Sequence, residues 1–203
     1  MTDIVKPPRI SVDGEMFGGI VSHFSMVELG ACVVENSGEG MRQYGSLIRP
    51  SIGHNEPYEH GARKVLRRSY EEFFEKGKDP RQVAYEFVDF CDGIRGEEKS
   101  VKLTGVNISF DFPFIREFLY RFCPDRYEVI GYKGYEITSF ADAVFDLPLG
   151  TLSAKRAWER IKAYPKIYER YYPGALTHGA IQDSIDQAKL LLALEEVQLY
   201  RRP

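Results

Sequence analysis

The chain has 203 residues, of which 43% are apolar and 13% aromatic, so it is long enough to bury the core of one α/β domain. Its net charge of −3 argues against a protein that coats long duplexes with a basic surface, although bound cations would offset clustered carboxylates. There is no long apolar run, so we expect neither a membrane span nor a signal peptide. Three widely spaced cysteines form no metal-ligand or disulfide pattern, and a reducing, cytoplasmic compartment is expected.

The first part of the chain is predicted to be rich in strands. A short arm, residues 1–8, precedes them. Alternating apolar residues predict strands at residues 9–13, 26–35 and 41–48, and the turn-forming residues 36–38 join the last two. We therefore expect an antiparallel meander.

Helical periodicity dominates the rest of the chain. Pro80 suits the first position of a helix, and Pro165 is expected to end or kink the helix that begins near Ser153. Residues 125–150 are rich in Gly and Tyr and predict no clear element. The remaining predicted elements are a buried strand at 101–106 and helices near 63–74, 80–93, 114–122 and 180–200. With no repeat or linker, residues 1–203 are interpreted as one domain, a mixed sheet with helices packed on its faces.

Two carboxylates lie at the end of the first predicted strand. Alternate residues of a strand share a face, so Val12 points toward the core while Asp13 and Glu15 project together on the other side. Carboxylates that close repel each other unless a cation or a proton lies between them, and Mg²⁺ and Mn²⁺ prefer oxygen ligands. Taken alone, however, this fragment is better explained as two ordinary solvated acids.

A third carboxylate, Asp111, follows the strand at 101–106 and precedes Pro113, which suits a helix start. Ligand sites in α/β sheets favour the carboxyl ends of strands. The alternative, that Asp111 caps a helix, is strong here, because Asp is a common capping residue near a helix N-terminus. Asn107 could likewise cap the helix or form a turn. By itself, this fragment favours the capping interpretation.

The last predicted helix carries a fourth carboxylate. At about 100° per residue, Leu190 and Leu194 point in nearly the direction of Asp183, so Asp183 heads a face that turns apolar and points into the protein. Asp186 lies further round, toward Lys189, and is expected to face solvent. The main apolar stripe is expected to comprise Ile181, Ile185, Ala188, Leu191 and Leu192.

A histidine, His178, lies just before that helix or in its first turn. Its ordinary pKa near 6.5 would let it take a proton at neutral pH. The alternative is a capping or packing role, which is also the interpretation for His23, His54 and His60.

Together, the three fragments resemble the motifs of the DEDDh-type 3′–5′ exonucleases, a family that includes polymerase proofreading subunits, ribonuclease T and oligoribonuclease. The D-x-E motif stands at Asp13-Gly14-Glu15, N-x-x-F-D at residues 107–111, and H-x-x-x-x-D at residues 178–183. The resemblance extends from residue 10 to about residue 195. It implies a ribonuclease H-like fold, with a five-stranded mixed sheet flanked by helices. Many members continue D-x-E with T-T-G, whereas this chain has Met16-Phe17-Gly18.

The resemblance implies a metal-dependent 3′–5′ exonuclease that releases nucleoside 5′-monophosphates from single strands or 3′ ends of DNA or RNA. Asp13 would bridge two Mg²⁺ or Mn²⁺ ions about 3.5–4 Å apart. Glu15 and Asp183 would complete the site of the ion that carries the attacking water, and Asp111 would support the second ion. His178 would remove a proton from that water. Several standalone relatives form dimers, so a homodimer is possible.

Aromatic side chains near the metals could stack on the terminal bases. Met16 and Phe17 are the better candidates for contact with the terminal nucleotide, and Asn107 is a third from its place in the motif. Phe110 is expected to pack in the core.

Basic residues at 155–170 are interleaved with Trp158, Tyr164 and Tyr168. They predict either a track for a nucleic-acid strand or, more readily, a solvated helix face. The alternative function is a non-catalytic nucleic-acid-binding or partner-docking module on the same fold. The presence of all four acids and the histidine argues against it.

Overall fold

A mixed five-stranded sheet forms the centre of the protein. The computed structural model describes residues 7–35, 40–51, 58–66, 68–172 and 179–201, without the side chain of Val65. The strand order is β3-β2-β1-β4-β5. The first three strands are antiparallel neighbours, whereas β4 runs parallel to β1 and β5 parallel to β4. The strands are β1 Arg9–Met16, β2 Met26–Val33, β3 Gln43–Leu47, β4 Val101–Gly105 and β5 Ile130–Glu136. The predicted meander and mixed sheet are confirmed.

Helices cover both faces of the sheet. They are α1 His60–Val65, α2 Tyr70–Lys76, α3 Pro80–Arg95, α4 Ile108–Phe122, α5 Ile137–Val144, α6 Ala154–Ile161, α7 Pro165–Tyr171 and α8 Ala180–Arg201, with a 3₁₀ turn at Tyr127–Val129. Within the described ranges, no helix combines the length and the apolar character needed to cross a lipid bilayer.

The core is divided by the sheet into two apolar clusters. One contains Ile10 and Val12 of β1 together with buried residues of α3 and α4. The other contains buried residues of α5, α6, α7 and α8 and includes Cys32 of β2. Because side chains alternate along a strand, Asp13 and Glu15 face the side of α8, opposite Val12. The sheet thus separates the cluster that contains Ile10 and Val12 from the face that carries the candidate site.

Two of the predicted helices, at 63–74 and 114–122, have different bounds in the structure. The helix expected at 63–74 is two helices, because Ser69 and Glu72 form a capping box that starts α2. Helix α4 begins at Ile108 rather than near residue 114, and Pro113 lies inside it. The Glu136 carboxylate accepts the backbone N–H groups of Asn107 and Ile108, which stabilises this earlier start.

The helix near Ser153 ends at Ile161, and Pro165 opens the next helix instead of kinking the first. The stretch at 125–150, from which no element was predicted, supplies β5 and α5. The predicted turn at 36–38 lies outside the described residues.

Candidate metal centre

Three carboxylates from two elements meet at the end of β1. Asp13 and Glu15 project from the same face of the strand, as alternation predicts, and Asp183 comes from the first turn of α8. One oxygen of each carboxylate lies within 4.8 Å of the corresponding oxygens of the other two. A single cation could therefore be bound by all three groups.

The fourth predicted carboxylate, Asp111, lies in the first turn of α4 and is only 5% exposed. Its Oδ1 accepts a hydrogen bond from the backbone N–H of Gly14 at 3.0 Å. Because Gly14 lies between Asp13 and Glu15 in β1, this bond holds Asp111 beside the other two acids. It also adds to the negative potential at Asp13 and Glu15. The structure thus brings all four predicted acids to one place.

The electrostatics of the four acids are unfavourable without a counter-charge. Burial, followed by the charges of Asp111, Asp183 and Glu15, holds the pKa of Asp13 well above its usual range. Burial, followed by repulsion from Glu28, raises the pKa of Glu15 to about 7. Burial also raises the pKa of Asp111 to about 7.

This donor set fits a hard divalent cation. Among the described residues, the three grouped donors are carboxylate oxygens, which Mg²⁺ and Mn²⁺ prefer, and a bound cation would offset the repulsion that raises these pKa values. A soft metal would instead require thiolate or imidazole donors.

A fifth acid, Glu28, was missed by the sequence analysis. It lies opposite Glu15 in the β1–β2 pair, and the Ala180 backbone at the start of α8 forms a hydrogen bond with its carboxylate. Burial raises the pKa of Glu28, while the charge of Arg68 and this hydrogen bond oppose the increase. Finding it required the register between β1 and β2, which no local pattern reveals.

Gln187 was also missed. Its Nε2 donates to Asp13 Oδ1 at 2.9 Å, and its Oε1 accepts the backbone N–H of Val106 at 2.8 Å. A signal was available, because residues four apart on a helix share a face and Gln187 lies one turn after Asp183.

Two glycines allow α8 to approach the sheet closely. A Cβ atom on Gly30 would overlap with the backbone of Ala180, and one on Gly45 would overlap with the side chain of Ile181. The absence of side chains at these two positions lets the first turn of α8, and with it Asp183, reach the level of Asp13.

The orientation of α8 is partly as predicted. Leu190 and Leu194 are buried below Asp183, as helix geometry indicates. Asp186, however, is only 3% exposed and accepts a hydrogen bond from Gln182 Nε2, so its predicted solvent exposure was wrong. Ile181, expected on the main apolar stripe, is 38% exposed. Asp186 is buried because α8 packs against α5, α6 and α7 as well as the sheet, so that more than one face of the helix is covered.

The exposure of the candidates for nucleotide contact and of Phe110 differs from what the sequence suggested. Met16 and Phe17 are buried, and the ring of Phe17 packs on Tyr58, Tyr70 and Phe73. Phe110, expected in the core, is 38% exposed. Its ring lies 3.9 Å from the position of a Cβ atom on Gly19, in the loop that follows β1.

Asn107 is exposed and has a left-handed backbone conformation with φ 58°. Its backbone N–H donates to Glu136, and its side chain does not cap the helix. Its contact with nucleotide stays a prediction. His178 lies outside the described residues.

Two of the basic residues at 155–170 form ion pairs on the surface. Lys162 pairs with Glu159, and Arg170 pairs with Glu196. Trp158 is buried and packs edge-on against Tyr172. These contacts favour the interpretation as a solvated helix face.

No protein-family profile matches the chain. An Escherichia coli protein named 3′–5′ DNA exonuclease Cap18 is 25% identical over 189 residues, which are 93% of this chain and 91% of that protein. Pop2p of S. pombe, solved in its Mg²⁺- and Mn²⁺-bound form, is similar in structure with a TM-score of 0.60 at 13% identity, covering 91% of this chain and 81% of that chain. A 3′-exonuclease solved for its 3′-end-specific recognition of histone mRNA stem-loop has a TM-score of 0.67 at 12% identity, covering 96% of this chain and 64% of that chain. The predicted ribonuclease H-like fold is confirmed.

Proposed function

We propose that this chain is a member of the DEDDh-type 3′–5′ exonucleases and that it hydrolyses nucleic acid from the 3′ end with the help of bound divalent cations. The observation that carries the proposal is the meeting of Asp13, Glu15 and Asp183 within 4.8 Å of one another. Asp111, held by the Gly14 N–H, completes the set of acids. The alternative of a non-catalytic module does not explain why one buried and three partly buried carboxylates are gathered at one point.

The four acids would hold two Mg²⁺ or Mn²⁺ ions. When bound, such ions stabilise the attacking and leaving oxygens of a phosphodiester during in-line displacement. Asp13 would contribute to both ion sites, since the charges of Asp111, Asp183 and Glu15 all raise its pKa. Glu15 and Asp183 would complete one site, and Asp111 would support the other.

His178 is proposed as the general base. It lies two residues before α8 in the sequence, and the first turn of that helix carries Asp183. The imidazole would take the proton from a water molecule while the water oxygen bonds to phosphorus. The 3′ oxygen of the preceding nucleotide would then leave, and a nucleoside 5′-monophosphate would be released.

The substrate is proposed to be a single strand or a frayed 3′ end. Phe110 supports this proposal, because an exposed ring close to Gly19 and one residue before Asp111 offers a stacking surface for a terminal base. One relative is named for DNA and one structural neighbour for histone mRNA, so both polymers are retained as candidates. Distinguishing them depends on contacts to the 2′-OH.

A reducing cytoplasmic setting is proposed as well, because Cys32, Cys91 and Cys123 are all buried free thiols. The homodimer implied by the family stays a prediction, which light scattering of the purified protein would test.

The experiment that tests the proposed function is a matched digestion of 5′-labelled DNA and RNA oligonucleotides with Mg²⁺, Mn²⁺ or a chelator. The wild-type protein should shorten at least one polymer stepwise from its 3′ end, only with metal. Asp13→Asn should reduce hydrolysis to background, and His178→Ala should slow it by about 10²–10⁴-fold. Asp89→Asn is the control, because Asp89 is an exposed partner of Arg126.

Full activity of Asp13→Asn would overturn the metal assignment, and normal turnover of His178→Ala would exclude the general-base role. Binding of Mn²⁺ and oligonucleotide without any cleavage would favour the non-catalytic module.

A further inference from the structure

We infer that Gln187 is a positioning residue that fixes the carboxylate of Asp13 for metal binding, an inference that rests on the proposed function. Its side-chain amide lies between two partners on different elements. Nε2 donates to Asp13 Oδ1 at 2.9 Å, and Oε1 accepts from the Val106 backbone N–H at 2.8 Å. Both ends of the amide are therefore occupied inside the protein.

The two partners determine which way round the amide sits. The Val106 N–H can only donate, so it requires the oxygen, and the Asp13 carboxylate can only accept when ionised, so it requires the nitrogen. Gly105 leaves room for this arrangement, because a Cβ atom there would lie 3.2 Å from Gln187 Oε1. The amide is thus held in one orientation, and it ties one oxygen of Asp13 to α8.

This amide connects the three sequence motifs. Asp13 belongs to the first motif, and Val106 immediately precedes the second, which begins at Asn107. Gln187 itself lies one turn after Asp183 of the third motif. A shift of α8 along the sheet would break both hydrogen bonds at once, so Gln187 couples the position of Asp183 to that of Asp13.

The contribution to metal binding follows from this coupling. An unrestrained Asp13 carboxylate would rotate about its terminal torsion and would lose this freedom when it binds a cation. Gln187 removes that freedom before the metal arrives. Hydrogen-bond partners of ligating carboxylates typically affect metal affinity or activity by about 10–100-fold.

The test compares two amides on the same helix. Gln187→Met keeps the length of the side chain and removes both hydrogen bonds to the site. Gln182→Met is the matched control, because Gln182 Nε2 donates at 2.7 Å to Asp186, which lies outside the group of Asp13, Glu15 and Asp183. Mn²⁺ binding to the full-length, metal-free protein is measured by calorimetry, and the half-saturating Mn²⁺ concentration is measured in the oligonucleotide assay.

We expect Gln187→Met to weaken Mn²⁺ binding about 10–100-fold and to raise the half-saturating Mn²⁺ concentration by the same factor. The KM for oligonucleotide at saturating Mn²⁺ should stay unchanged. Gln182→Met should leave both metal readouts at the wild-type value. Because a methionine could disturb folding, Gln187→Asn is measured beside it. Its shorter side chain keeps an uncharged amide but cannot reach both Asp13 and Val106, so it should show the same weakening at a melting temperature close to that of the wild type.

Wild-type Mn²⁺ affinity in both Gln187 variants would overturn the inference while leaving the proposed function intact. Equal loss in Gln187→Met and Gln182→Met would also overturn it, since it would indicate a general effect on α8. If the wild-type protein neither binds Mn²⁺ nor cleaves, the proposed function and this inference both fail.

Discussion

Gly30 lies directly against the backbone of Ala180, the first residue of α8, and leaves no space for a side chain between strand and helix. The same glycine pairs with Asp13 in the β1–β2 ladder. One position of β2 therefore sets the distance between the strand that carries Asp13 and the helix that carries Asp183.

Gly30→Ala should separate α8 from the sheet. A methyl group there would overlap with the Ala180 backbone, and overpacking of this kind typically destabilises a protein by about 1–3 kcal/mol. We expect that loss in chemical denaturation, together with weaker Mn²⁺ binding and lower exonuclease activity. Gly93→Ala is the control, because no neighbouring atom meets a Cβ there and α3 should gain about 0.5–1 kcal/mol. Unchanged Mn²⁺ affinity in Gly30→Ala would contradict this account of α8 docking.

The stability of the metal-free protein should fall as pH rises from about 5 to 8. Glu15 and Asp111 have pKa values of about 7 in the folded protein, above their ordinary values near 4. In this window the folded state binds more protons than the unfolded state, so raising the pH favours unfolding. Thermal unfolding at several pH values would measure the slope, and Glu15→Gln should make it shallower. A wild-type slope identical to that of Glu15→Gln would contradict the raised pKa of Glu15.

Divalent cations should counteract the loss of stability that we expect as the pH rises. Cations and protons compete for the same carboxylates, so Mn²⁺ should raise the melting temperature more at pH 8 than at pH 5. Ca²⁺ and a chelator serve as comparisons. A stabilisation by Mn²⁺ that is equal at both pH values would indicate binding elsewhere.

Asp183→Asn should lose metal-dependent cleavage, whereas Asp186→Asn should keep it. Asp183 lies within the group of three carboxylates, and its replacement should abolish metal-dependent cleavage. Asp186 accepts from Gln182, and an asparagine keeps that acceptor, so Asp186→Asn should retain activity within a few-fold. Initial rates at saturating Mn²⁺ would measure both. Loss of cleavage in Asp186→Asn at normal stability would place Asp186 in the catalytic site.

Phe110→Ala should weaken substrate binding. Stacking of one base on an aromatic ring contributes about 1–3 kcal/mol, so we expect KM for a short oligonucleotide to rise by about 10-fold with a smaller change in kcat. Tyr120→Ala is the control, because Tyr120 is exposed at the other end of α4 and packs on Tyr127. A KM that changes equally in both variants would exclude a specific role for Phe110.

Local rules placed three of the four acids, whereas the assignment of Asp111 rested on the family resemblance. Strand alternation placed Asp13 and Glu15 on one face, and helix geometry pointed Asp183 toward the protein. The contacts that these acids make with their partners were beyond such rules. Glu28 and Gly30 depend on the register of β2. Gln187 had a local signal, its place one turn after Asp183, but its contacts with Asp13 and Val106 depend on how α8 docks on the sheet. These are relationships between distant segments, which periodicity does not encode.

Strand β5 shows a second limit of prediction from the sequence. β5 lies at the edge of the sheet, its Tyr132 and Tyr135 are exposed, and its pairing with β4 is parallel and therefore remote in sequence. An edge strand with polar and aromatic residues on both sides lacks the alternation that identifies a half-buried strand. Asp186 shows a related limit, because α8 packs against α5, α6 and α7 as well as the sheet, and no pattern within α8 reveals those contacts.

The metal centre draws its acids from both ends of the described chain, with Asp13 in the first strand and Asp183 in the last helix. Synthesis proceeds from the N-terminus, so a chain on the ribosome has the first two acids long before the last one emerges. Closing so long a loop is slow, and the final helix must dock before the site is complete. The candidate site is therefore complete only after α8 has been synthesised and has docked on the sheet.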